Sequence, residues 1–367
     1  MEITLPLDMN LYHSKAKNIM ELQENKTVSS YKRIFWVFGL LLLGVCALAG
    51  FMAFNLYSYA NSPSGDDATG KIIVITPGQG FSSTTSKLVS EGVITFPARF
   101  KMLGALTGDD KKIKAGEYLF KASMSPGRII SDLVNGKVYL HKLTIPEGYN
   151  LYQVADVVER EGICDRESFV AAATDPLAVR TLGLPETAES FEGYLYPETY
   201  FYSRGTPPSI IVRDMVKRFD TVYKSAWQQR ASELGMTRHQ VVTLASIIEK
   251  ETGAAGERPL ISSVFHNRMK KDMRLETDPT VIYGIKDFDG NLTREHLRTA
   301  GPYNTYMSKG LPIGPIANPG LKSLEAALYP AQSDYLFFVS RKDSTHELST
   351  NYEDHVANIR KFQLRRH

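Results

Sequence analysis

The chain has 367 residues, 43% of them hydrophobic, and its basic and acidic side chains nearly cancel to a formal net charge of +3. That length carries two or three modest domains with real cores, and the balanced charge, with no long Lys/Arg run, excludes a nucleic-acid binder built on a basic stripe. Cys46 and Cys164 form neither a CxxC zinc pair nor a disulfide framework, and the scattered histidines show no HxH or HExxH spacing. No metal site is indicated and no cofactor is expected.

Residues 1–33 are polar and of mixed charge, with Lys15, Lys17, Lys26, Lys32 and Arg33 approaching the next segment. From Ile34 to Phe54 no charged residue occurs, and roughly 20 apolar residues are enough for a helix to cross the hydrocarbon core. Trp36 at one end and Tyr57 and Tyr59 at the other stand where aromatic belts form, and the Lys/Arg excess lies on the N-terminal side. A transmembrane helix over 34–56 is therefore expected, with residues 1–33 as a cytoplasmic tail and the remainder outside. Ala47-Leu48-Ala49 has the form of a signal-peptide cleavage site, but hydrophobicity continues through Phe51, Phe54 and Leu56 and the preceding region is long, which favours an uncleaved anchor.

Residues 57–70 read as a linker, ending in the Ser-, Gly-, Pro- and Asp-rich stretch Asn61 to Gly70. A weak repeat follows. Lys71 to Ile75 is a strand, Pro77 to Gly80 a turn and the stretch reaching Leu88 and Ile94 a helix; then His141 to Ile145, Pro146-Glu147-Gly148 and Leu151 to Val158 repeat the order. Ala115 to Phe120 between them is a short strand, and Pro126 to Asn135 a helix closed by Gly136. Two such units imply small α+β modules over 71–140 and 141–185, since a solenoid needs three or more repeats.

A larger domain is expected over 186–367. It opens on Thr187 to Ser203, an aromatic-rich stretch carrying Glu192 and Glu198; its aromatics suit either a seam between domains or a wall on which pyranose rings stack, with Tyr194 and Tyr196 as the stacking candidates. Helices are expected from Ile210 toward Trp227, from Glu257 to Lys271, from Leu321 to Leu328 and from Tyr352 to Phe362, with a buried strand over Tyr335 to Ser340. Gly310 to Gly320 is too rich in Pro, Gly and Asn for regular structure, yet apolar enough to be an ordered, packed loop.

The helix that organises this domain begins at Thr237, where Thr237 and Gln240 fit a capping box. Val241, Val242, Leu244, Ala245, Ile247 and Ile248 form a stripe broad enough for a helix covered on most of its girth. Glu249 shares a face with Val242 and Ala245, whereas Glu251 points away. A carboxyl against an apolar wall holds its proton to higher pH and can protonate a leaving oxygen. The helix alone favours the plainer reading, a surface glutamate in a last turn, because Glu is seldom fully buried.

Leu244 to Thr252 (LASIIEKET), Leu275 to Gly284 (LETDPTVIYG) and Tyr303 to Tyr306 (YNTY), in that order, closely resemble the blocks of the endolytic murein transglycosylases, the MltG or YceG-like family. Glu192 to Tyr200 (EGYLYPETY), Gly310 to Pro312 and Asn318 to Gly320 look like further blocks of the same family. The chain departs from the pattern at Ile313, where Pro is common, and at Leu348 and Val356, where Phe and Asn are usual. The resemblance implies an α+β protein: a single-pass inner-membrane anchor, a LysM-like module outside the membrane and a C-terminal mixed α/β catalytic domain. It also implies cleavage inside the glycan strands of nascent peptidoglycan. The partners would be those strands, the membrane and, as candidates, peptidoglycan synthases. The family's catalytic glutamate falls on Glu249, and Thr277, Asp278, Tyr283 and Asn304 are candidate cleft residues.

In the expected reaction Glu249 protonates the leaving oxygen and then, as carboxylate, takes the proton of the muramyl C6 hydroxyl that attacks C1. One residue acts as acid and base, with no obligatory carboxylate pair. Asp278 before Pro279 is either a turn residue or a second carboxylate, and Glu198 is another. Two rivals remain open: a muramidase that hydrolyses the same bond, and a non-catalytic membrane-anchored peptidoglycan-binding scaffold.

Overall fold

The structure, a computed structural model, describes residues 9–181, 183–185, 188–254 and 256–364. The first eight residues of the expected tail, and Thr187 at the head of the aromatic stretch, lie outside the described residues. The chain divides into two compact bodies at Tyr139/Leu140.

In the first body, helix α1 runs over Met9–Asn61. Within it Phe35–Asn61 has a mean hydropathy of 2.5 and is long and apolar enough to cross a membrane once, its side chains exposed from Phe35 to Phe54. After it come β1 (Lys71–Ile75), α2 (Phe81–Ser90), α3 (Pro97–Thr107), β2 (Gly116–Phe120) and α4 (Pro126–Asn135). β1 and β2 pair antiparallel, Ile73 opposite Tyr118. Ile73 and Ile75 are buried while Ile72 and Val74 are exposed, the alternation a sheet covered on one face requires. Their buried side joins Leu88, Phe100, Ile129 and Leu133 in one core. Gly136 closes α4 in the left-handed conformation, as its position after the helix predicts. The helix α3 is not legible in the sequence, because only Phe100 and Gly104 of it are buried.

The second body contains β3 (His141–Thr144), α5 (Leu151–Arg160), α6 (Arg166–Ala173), α7 (Pro176–Thr181), β4 (Thr199–Tyr202), α8 (Pro208–Val222), α9 (Ser225–Glu233) and α10 (Arg238–Glu251). Then follow α11 (Arg258–Lys270), α12 (Asp278–Gly284), α13 (Arg294–Arg298), α14 (Leu321–Leu328), β5 (Phe337–Ser340), β6 (His346–Ser349) and α15 (Tyr352–Phe362). β3 pairs with β4, Leu143 opposite Tyr200, and both sides of residue 185 contribute to one continuous core, Val154 and Phe169 with Phe219 and Leu244. The segment 141–185 is thus packed into the same body as the residues that follow, not set apart as its own unit. The architecture is α+β, helices with small two-stranded sheets.

α10 is the centre of this body. The expected capping box is present: the Thr237 hydroxyl accepts from the Gln240 amide, and the Gln240 side chain accepts from the Thr237 amide at 2.8 Å. Val241 to Ile248 are all buried, and α10 packs on α9, α11, α12 and α14. The Pro- and Gly-rich loop before α14 is buried from Gly314 to Gly320. The Ile316 amide donates to Ser246 Oγ at 3.0 Å, which pins that loop to α10. Gly193 has φ 84° and a Cβ there would run into Pro315 and Val242, so only glycine fits where the aromatic stretch crosses that loop.

Candidate active site

Glu249 sits in the last turn of α10 with its side chain 7% exposed. Its carboxyl does not end against an apolar wall. Oε1 accepts from Arg258 Nη2 at 3.3 Å and Oε2 accepts from the Gly320 amide at 3.0 Å. Arg258 comes from the first turn of α11 and Gly320 from the N-cap of α14. The donors on Glu249 are therefore charged and polar, and the expected apolar shelter is corrected in that respect.

Glu249 is not the only carboxyl at this place. Glu147, in the turn between β3 and α5, brings a second carboxyl to the same place. A Cβ built on Gly320 would overlap the Glu147 carboxyl, and a Cβ on Gly148 would lie 3.4 Å from Glu249 Cγ. Burial and the neighbouring Glu249 push the Glu147 carboxyl above its ordinary value, with Arg258 opposing. The Glu147 side chain accepts no hydrogen bond among the described residues, and the residue is exposed. Its backbone is fixed all the same: the Gly148 amide donates to Asn318 O at 2.9 Å, and Lys250 Nζ donates to Gly148 O at 3.3 Å. Sequence alone gave Glu147 only as a turn residue; no local signal ties it to a helix a hundred positions later.

Tyr196 lies beside this pair. It is 8% exposed, the Arg218 guanidinium stands 5.9 Å from its ring centre, and burial followed by the Glu147 charge raises its hydroxyl. Tyr194 is interior. At 1% exposure its ring stacks on His239, meets Phe219 edge-on and gives its hydroxyl to His239 Nδ1 at 2.9 Å. With its faces covered it has none free for a sugar, so the stacking role expected of it is not available. Glu198 is paired with Arg218.

The remaining predicted residues fall into two further groups. Thr277 is buried and donates its hydroxyl to Glu251. Asp278 is exposed and accepts from the Tyr306 hydroxyl at 2.7 Å. It begins α12 instead of making a bare turn, after Glu276 at φ 51° reverses the backbone. Glu251, which the helix pattern turned away from Glu249, is half-buried there and pushed up to about 7 by desolvation. Neither Thr277 nor Asp278 bonds to Glu249 among the described residues.

Tyr283 and Asn304 line a cavity of about 460 Å³ together with Tyr152, Glu192, His296 and Tyr303. Glu192, 3% exposed, is the hub behind it. Its carboxyl accepts from the Leu151 amide at 2.9 Å, Tyr283 Oη at 3.0 Å and Asn318 Nδ2 at 3.2 Å, and burial still pushes it up to about 7. Asn304 spends its amide on the carbonyls of His296, Leu297 and Thr299, and its Oδ1 on the Tyr306 amide. It is a clip that shapes the cavity wall, and not a free substrate contact. A second cavity of about 880 Å³ is lined by Tyr194, Arg238, Met269 and Leu311 among others. Glu249 lines neither cavity.

The sequence profile of the YceG-like family matches residues 73–361. The chain belongs to the YceG-like family. It is 31% identical over 304 residues to the endolytic murein transglycosylase of Bacillus subtilis (strain 168), covering 79% of this chain and 84% of that protein. It is 28% identical over 303 residues to the endolytic murein transglycosylase of Streptococcus pneumoniae serotype 2, covering 74% of this chain but 54% of that longer protein. The crystal structure of a YceG-like protein from Listeria monocytogenes is similar with a TM-score of 0.55 at 34% identity, covering 80% of this chain and all of that one. In this YceG-like protein the matched span takes in Glu147, Glu249, Arg258 and Gly320 alike.

Proposed function

We propose that the chain is an endolytic murein transglycosylase. It cleaves β-1,4 bonds between N-acetylmuramic acid and N-acetylglucosamine within nascent peptidoglycan strands, leaves 1,6-anhydro-muramyl ends and so ends strand elongation. The observation that carries this reading is Glu249: a nearly buried carboxyl at a helix end, fixed by Arg258 and Gly320, in a chain whose family relatives bear that name.

In the proposed step the C1–O4 bond breaks as O4 takes the Glu249 proton. The muramyl C6 oxygen then bonds to C1 and its proton passes to Glu249, so no water is consumed and the enzyme is regenerated. The N-terminal apolar helix would hold the protein in the cytoplasmic membrane with its N-terminus inside and the catalytic body outside, a reading that rests on the Lys/Arg excess before the span. The strand, two helices and antiparallel strand of residues 71–120 support the LysM-like reading of the first body.

One observation favours hydrolysis as a second reading, since a carboxylate beside Glu249 is what a two-carboxylate muramidase uses. Product mass separates the two. Full-length protein in detergent is incubated with purified glycan strands, beside Glu249→Gln. Anhydro ends from the wild type and none from the variant support the transglycosylase; products heavier by one water establish the muramidase, and anhydro ends from Glu249→Gln at the wild-type rate overturn the role given to Glu249.

A further inference from the structure

The carboxyl that begins the reaction must hold a proton, yet both Glu249 oxygens face donors, the Arg258 guanidinium and the Gly320 amide. Hydrogen bonds of that kind favour the charged form of an acid. A second acid–base group beside Glu249 would share the handling of that proton. The group in position is Glu147, which shares the Gly320 surface with Glu249, accepts no hydrogen bond among the described residues and is open to a substrate.

We propose that Glu147 is the second catalytic carboxyl of this site, holding a single proton jointly with Glu249 and turning its own negative charge toward the muramyl C1 as positive charge develops there. The proposal rests on the transglycosylase reading and adds a residue to it. Two carboxyls this close resist ionising together. One keeps the proton for the leaving O4, and the other is the carboxylate that an oxocarbenium-like transition state attracts. The pair enters the cycle with one proton, loses it to O4 and recovers one from the C6 hydroxyl.

Three features make this a built arrangement and not an accident of a mobile side chain. The turn carrying Glu147 is clamped between Asn318 and Lys250. Gly320 has no side chain where the Glu147 carboxyl lies. Tyr196 is near enough for the Glu147 charge to raise its hydroxyl. The charged and titratable groups that face Glu147 are Glu249 and Lys250 on α10, Arg258 on α11 and Tyr196, with Arg218, Glu198 and Glu325 around Tyr196. Arg258 is the counter-charge that lets one of the two carboxyls ionise.

The test is the pH dependence of kcat and kcat/KM for full-length wild type, Glu147→Gln and Glu147→Asp in detergent, on purified glycan strands, with product masses recorded. A bell-shaped wild-type profile is expected, because the site works with one proton on the pair and fails with none or two. Glu147→Gln is expected to lose about a hundredfold in kcat with little change in KM, and the limb that the Glu147 carboxyl contributes disappears from its profile, because glutamine does not ionise. Glu147→Asp is expected to keep both limbs at a reduced kcat, which gives the readout even if the glutamine variant folds poorly. A glutamine or aspartate variant with wild-type kcat and an unmoved profile overturns the proposal, as does a change confined to KM. If Glu147→Gln behaves as wild type while Glu249→Gln is inactive, the pair is wrong and the transglycosylase reading stands; wild-type activity in Glu249→Gln overturns the pair and the role of Glu249 together.

Discussion

Arg258 and Glu249 form an ion pair nearly sealed from solvent, 3.3 Å between nitrogen and oxygen, with side chains 10% and 7% exposed. Little water is left to screen the two charges, so each depends on the other. Arg258 Nε is itself buried without a partner, and the hydrogen bond that Arg258 makes to a carboxylate goes to Glu249.

Removing one member of such a pair strands the other, at a cost of about 3–5 kcal/mol. Arg258→Gln is therefore expected to lower the urea midpoint of the full-length protein and to reduce turnover together. Arg258→Lys should recover part of the stability, since a point charge is restored without the planar fork. A wild-type midpoint for Arg258→Gln would contradict the dependence just described.

Gly320→Ala places a methyl group where the Glu147 carboxyl lies while leaving the amide that Glu249 accepts from. The clash is expected to cost roughly 1–3 kcal/mol and to displace Glu147, lowering kcat at least tenfold. Thermal unfolding and glycan-strand turnover measured on one preparation decide it; an alanine variant with full activity would mean that the Glu147 position is unimportant.

Asn318 joins three distant segments. Its Oδ1 accepts from the Leu195 amide at 2.9 Å, and its Nδ2 reaches Tyr149 O at 2.9 Å and Glu192 Oε1 at 3.2 Å. Asn318→Ala leaves buried donors and acceptors unmet, each worth about 1–3 kcal/mol, so a loss on the order of 3 kcal/mol is expected. Asn318→Asp is expected to be no better, because its charge would face Glu192. Chemical denaturation reads both outcomes.

Glu192, raised to about 7 by burial, binds its proton more tightly folded than unfolded. Its contribution to stability is complete below about 4.5, the unfolded value, and is lost as pH rises through about 7. Glu192→Gln cannot ionise. The difference in Tm between wild type and Glu192→Gln should therefore shift in the variant's favour between pH 5 and pH 8. A difference that stays constant across that range would show that Glu192 is already ionised at the lower pH.

Local chemistry was readable where it decides its own outcome. The Thr237–Gln240 box, the girth of α10, the Gly136 stop and the helix over Leu321–Leu328 all follow from spacing and capping. What the sequence could not disclose is long-range. Arg258 gives no hint that it will meet Glu249, Asn304 looks like a binding residue until its amide is seen to be consumed by three carbonyls, and Tyr194 looks like a sugar platform until its ring is found enclosed. Glu147 escaped for the same reason, since only the Asn318 to Gly320 loop and the end of α10 bring it into place.

The clamp that holds Glu147 draws on Gly148 and Asn318, and Glu249 leans on Gly320. During synthesis the chain therefore emerges with its two carboxyls in hand but unfastened, because the segment that secures them is made well after both. A ribosome would have to finish nearly the whole polypeptide before any wall-cutting ability existed.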